Sequence, residues 1–166
     1  MPFAVTHILS TILLLDIYRK FSKHKKNFPL SFIYIAGIFS IIPDTDFILY
    51  WIINGFTNFN LVHKVYSHTI LMPIIILVFA SFMFNINKMW GRLTVLCSFA
   101  YLNHIFLDYI FSWPHTYLWP FSMKVYSFNI IPTIFKDWFW WAGLDTAFLI
   151  LWLLWELKHD RIKDFI

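Results

Sequence analysis

Apolar residues fall into five long runs separated by short polar connections. The first runs from about Phe3 to Tyr18, and the second from about Leu30 to Ile53, interrupted by Pro43-Asp44-Thr45-Asp46. The third runs from about Thr69 to Phe84, the fourth from Leu93 to Phe111 and the fifth from Trp138 to Leu157. Most approach the roughly 20 residues that carry a helix across the hydrocarbon core. The pattern predicts an all-α, polytopic membrane helix bundle of five transmembrane helices in a single domain, residues 1–166. Pro43 cannot donate a backbone hydrogen bond and disfavours helix at the residue before it, so the second helix is expected to break there. Such a break at membrane depth needs surrounding protein or a wet cavity. The stretch from Ser112 to Asp137, with Trp113-Pro114 and Trp119-Pro120, is expected to lie along the interface.

Composition strengthens this picture. The chain is 60% hydrophobic and 22% aromatic, with 13% charged residues, about half the charge of a typical soluble domain. Its net charge of +4 does not point to nucleic acid, because the basic residues sit between apolar runs. Arg19, Lys20, Lys23, Lys25, Lys26, Lys88, Arg92, Lys158, Arg161 and Lys163 fall on one side of the alternating topology; Lys64, Lys124 and Lys136 fall on the other. The positive-inside rule then puts the N-terminus outside and the C-terminus in the cytoplasm, in a prokaryotic cytoplasmic membrane. The stretch after Met1 lacks a basic n-region and a small-residue cleavage site, so the first run is expected to remain as a span. Cys97, the one cysteine, reads as packing. The sequence carries no signal for oligomeric state.

Ionisable residues inside apolar spans are costly and mark functional sites by default. Here they are His7, Asp44, Asp46, His104, Asp108 and Asp145, with His63 and His68 at the mouth of the third run. The topology above, built without them, puts all of them in the outer half of the bilayer. His104 and Asp108 are four apart and share a helix face. A break at Pro43 would let Asp44 and Asp46 face one cavity. Imidazole and carboxylate donors without thiolate suit zinc, with manganese or iron as alternatives. The candidate ligands are His7, Asp44, Asp46, His63, His68, His104 and Asp108, enough for two ions. Asp145 reads as a helix-packing partner, His115 as an ordinary loop residue, and Asp16 as a partner of Arg19 or Lys20.

Thr6-His7, Pro43-Asp44-Thr45-Asp46, His63-Lys64-Val65-Tyr66-Ser67-His68-Thr69, His104-Ile105-Phe106-Leu107-Asp108 and Trp119-Pro120-Phe121 together resemble, in order and approximate spacing, the YdjM-like family of membrane-bound metal-dependent hydrolases. Lys64, Ser67 and Thr69 stand where that family usually has Arg, Thr and Ser, and a Gly usual before the Trp-Pro pair is missing near His115. The opening Thr6-His7 and the run into Pro43-Asp44 are also distantly similar to zinc-dependent phospholipase C proteins. The resemblance implies hydrolysis. With the residues above, it predicts metal-activated water attacking an ester or phosphoester of an amphiphilic, lipid-like substrate, in contact with membrane lipid. Asp46 (or Asp44) would take the proton, and Lys64 would stabilise developing negative charge. Two other classes carry the same polar pattern: an ion or metal transporter, and a non-catalytic membrane scaffold.

Overall fold

The computed structural model describes residues 4–46, 48, 52, 66–111, 114–128 and 138–158. Among these residues the fold is all-helical, with no strand. Five α-helices follow in order: α1 (Ala4–Phe21), α2 (Leu30–Phe39), α3 (Leu71–Ile86), α4 (Lys88–Phe111) and α5 (Trp138–Lys158), with 3-10 turns at Lys25–Asn27 and Ile42–Thr45. By length and composition, α4 and α5 can cross a membrane, while Leu30–Thr45 and Leu71–Ile86 are shorter apolar helices.

The second helix ends earlier than the sequence suggests. It stops at Phe39, four residues before Pro43, and the chain continues as the 3-10 turn that carries Pro43 and Asp44. A proline ring collides with the carbonyl four residues back, which here is Phe39. Ser40 closes the helix: its N–H donates to the Ala36 and Gly37 carbonyls, and its hydroxyl donates to Gly37 O at 2.6 Å. At the third run, residues 67–69 form a turn instead of entering the helix, and Pro73 sits in the first turn of α3, where its missing N–H costs nothing. α4 begins five residues before the apolar run does. Asn87 joins α3 to α4: its N–H donates to Met83 O at 2.8 Å, and its side-chain oxygen accepts from Met89 N at 2.8 Å. That is an N-cap, and it starts a helix in polar sequence that an apolar count would leave out.

α4 is the hub. It packs on α1, α2, α3 and the 3-10 turn at Ile42–Thr45, while α5 packs on α1. The apolar core joins Leu9, Ile12 and Leu15 of α1, Phe32, Ile33 and Ala36 of α2, and Leu93, Leu96, Cys97 and Ala100 of α4. α1 and α2 approach closely at Gly37, where a Cβ would stand 2.5 Å from the Ile12 side chain. Cys97 is buried and unpaired, as expected, and Asp16 pairs with Lys20 at 3.1 Å and Arg19 at 3.7 Å.

Candidate metal centre

Four side chains from one helix and two turns converge where α4 ends. Asp44 comes from the 3-10 turn after α2, His68 from the turn before α3, and His104 and Asp108 from successive turns of α4. One ligand atom from each lies within 4.8 Å of all the others. His68 Nε2 is 3.1 Å from His104 Nε2, 3.3 Å from Asp44 Oδ1 and 3.4 Å from Asp108 Oδ2. His104 Nε2 is 3.6 Å from Asp44 Oδ1 and 3.8 Å from Asp108 Oδ2. The side chains of His68, His104 and Asp108 have no exposure, while Asp44 keeps 23%, so the group opens on the Asp44 side.

Hydrogen bonding fixes which nitrogen of His68 faces the group. The Ser67 hydroxyl donates its single proton to Asp46 Oδ2 at 2.6 Å, so toward His68 Nδ1, at 2.8 Å, it can only accept. Nδ1 therefore carries a proton, and in the neutral imidazole that metal ligation requires, Nε2 presents a lone pair. Tyr101, on the buried side of α4, donates to Ser67 O at 2.6 Å and holds this turn in place.

Three acceptors (His68 Nε2, Asp44 Oδ1 and Asp108 Oδ2) then converge on His104 Nε2, which can offer one proton at most. Burying two carboxylates against a lone pair is expensive without compensating positive charge. A divalent cation supplies it. Zinc held at 2.0–2.2 Å in a tetrahedron places its donors about 3.4 Å apart, and five of the six donor separations, at 3.1–3.8 Å, bracket that value, with the Asp44–Asp108 pair within 4.8 Å. The donor set and its spacing fit a metal ion.

His7 stands beside this group. Its ring stacks on His104 with centroids 3.9 Å apart, and its Nε2 is 3.7 Å from Asp108 Oδ1. Two devices hold it there. Asn103 Nδ2 donates to Thr11 Oγ1 at 2.9 Å and Ser10 Oγ at 3.1 Å, and both hydroxyls donate to His7 O. Asp145 of α5 closes the first turn of α1 by accepting from Val5 N and Thr6 N at 3.2 Å and from the Thr6 hydroxyl. It is the helix-packing partner expected from sequence; what it packs against is the N-terminus of α1, whose first N–H groups lack helical partners.

The structure brings Asp44, His68, His104 and Asp108 together with His7 alongside, and puts Asp46 on Ser67, next to the group. His63 and Lys64 lie outside the described residues. His115 is 5.9 Å, ring to ring, from His68. Sequence reasoning missed Ser67, Tyr101 and Asn103 as supports. Asn103 did leave a signal, an amide within an apolar run, which a search for ionisable groups passes over.

Residues 1–161 match the family of the YdjM inner membrane protein. The chain belongs to this family of inner membrane proteins. No curated protein and no solved structure matches it.

Proposed function

We propose that the chain is a multi-pass membrane hydrolase that uses one divalent metal ion, zinc in first place, to cleave an ester or phosphoester of an amphiphilic substrate. The observation that carries this reading is the convergence of two imidazole nitrogens and two carboxylate oxygens at tetrahedral-edge distances, buried except at Asp44. When bound, the ion supplies Lewis acidity and activates water near neutral pH. His68, its tautomer set by the Ser67–Asp46 pair, and His104 hold it with Asp44 and Asp108; such outer partners tune ligand basicity and orientation. Asp46 takes the proton from the attacking water at its carboxylate, and Lys64 stabilises negative charge developing on the substrate. His7 with Asp108 supplies two donors among the described residues, too few for a second closed site.

In this reading all five helices span. The site lies in the outer half of the bilayer, with the N-terminus outside and the C-terminus cytoplasmic. In support, the basic residues of the ends of α1 and α5 and the start of α4 flank the helix ends opposite the site. The test is metal content in detergent-purified protein by plasma mass spectrometry, with hydrolysis of lipid extracts followed with and without chelator. One equivalent of metal and chelator-sensitive turnover are expected. Metal-free protein that remains folded would sink the proposal. Cation flux in liposomes that His104→Ala abolishes would favour transport instead.

A further inference from the structure

Beside the metal group, α4 and the segment 114–128 enclose an apolar groove of about 290 Å³ lined by Ile70, Leu102, Ile105, Phe106, Tyr109, Tyr117, Leu118 and Tyr126. Its walls come from three separate stretches of chain fastened by backbone hydrogen bonds. Ile70 N donates to Tyr117 O at 2.9 Å, His115 and Tyr126 exchange a pair at 3.1 and 3.0 Å, and Phe128 N donates to Tyr109 O at 3.0 Å. The groove is therefore part of the fold's backbone framework, unlike the gaps between side chains along a lipid-facing helix.

Two features tie it to the metal group. Ile105 and Tyr109, which line it, are the chain neighbours of the ligands His104 and Asp108. Tyr117 stands between the two regions: its ring lines the groove and packs on Tyr109 and His115, and its hydroxyl is buried. Burial, then the nearby Asp108 carboxylate and Tyr109, push the Tyr117 phenol well above its ordinary value. On the far side, Leu102 and Phe106 are half-exposed on α4, a helix long and apolar enough to span the membrane, so the groove opens toward lipid.

We propose that this groove binds one hydrocarbon chain of a bilayer lipid, with the lipid's polar end directed past Tyr117 toward Asp108 and Asp44. This rests on the hydrolase reading for its meaning, since it identifies the substrate as a membrane lipid that enters sideways from the bilayer. Binding of the chain itself requires no metal. The exposed lining is apolar, so a hydrocarbon chain meets no polar atom on entering it. The volume is near the lower end of small-molecule sites, which suits one chain rather than a whole lipid.

The experiment reconstitutes the full chain in nanodiscs of phosphatidylethanolamine and phosphatidylglycerol. These carry a trace of phosphatidylglycerol with a diazirine in one acyl chain. Illumination and peptide mapping then locate the label. We expect it to concentrate on Leu102, Phe106, Leu118 and Tyr126, above Phe82 and Ile150, which are more exposed than most of the four. Leu102→Trp, which fills the groove, should lower that label by about tenfold, an affinity loss of about 1.4 kcal/mol. Asp108→Asn should keep the label while losing metal. Label on the groove in metal-free wild-type protein would therefore uphold this inference even where the hydrolase reading fails. Label spread in proportion to lipid exposure, indicating annular lipid only, overturns it, as does Leu102→Trp leaving the pattern unchanged.

Discussion

α4 and α5 can each cross a membrane, yet the fold uses them in opposite ways. α4 buries residues on most of its circumference, among them Gly91, Ser98, Ala100, Asn103, His104 and Asp108. α5 leaves Leu144, Phe148, Leu151 and Leu154 exposed, and its buried residues include Asp145 and Glu156. In both helices the acidic side chains turn inward (Asp108 of α4, Asp145 and Glu156 of α5), and many large apolar ones are left exposed. Where the surroundings are as apolar as leucine, close packing and hydrogen bonds hold helices together, because hydrophobicity no longer distinguishes inside from outside. The difference is one of purpose: α4 brings ligands, and α5 brings a support.

That contrast can be broken at several points. The largest effect is expected at Asp108→Asn on α4. Loss of an outer partner alone costs about 10–100-fold in metal affinity, so removal of a proposed ligand should exceed a hundredfold, read by metal content after dialysis against a competing chelator. Next is Gly37→Leu. The added side chain meets Ile12 where a single Cβ is already 2.5 Å away, and overpacking of this kind costs about 1–3 kcal/mol, measured by thermal unfolding in detergent. Asp145→Ala on α5 should cost about 2 kcal/mol, the upper end for a lost cap. It should weaken metal binding less than Asp108→Asn does, because α5 supplies no ligand of the four. The smallest effect is expected at Gly143→Ala. A Cβ there meets nothing within 4 Å, so removing a helix glycine should stabilise by about 0.5–1 kcal/mol. A loss of stability at Gly143 would show that the exposed face of α5 is covered by something.

The five helices were legible because long apolar runs carry the fold in a membrane protein. Their ends were less so, since they depend on local polar chemistry. Asn87 caps α4 ahead of its apolar run, and the Pro43 ring ends α2 at Phe39 by a clash that reaches back one turn. Of the site, Asp44, His68, His104 and Asp108 could be singled out because a charge in an apolar span is conspicuous. The supports were harder to see. Ser67 and Tyr101 are ordinary in composition, and their roles depend on contacts 21 and 34 residues away along the chain. Asp145 was conspicuous, but its partner, the first turn of α1, is made of backbone groups that no side-chain pattern reveals.

The clasp between Asp145 and Thr6 joins residues 139 positions apart, so the start of α1 depends on a helix made much later in the chain. The opening turn of α1 is synthesised well before α5, and these amides of its first turn are closed only once α5 docks. One of the two devices that hold His7 is thus complete only when α5 is in place, while the Asn103 network joins α1 to α4 without it. A fragment ending at residue 128 should hold metal about tenfold more weakly than the full chain, and co-expression of residues 129–166 should restore it; equal retention by the fragment alone would show that the Asn103 network suffices without the clasp.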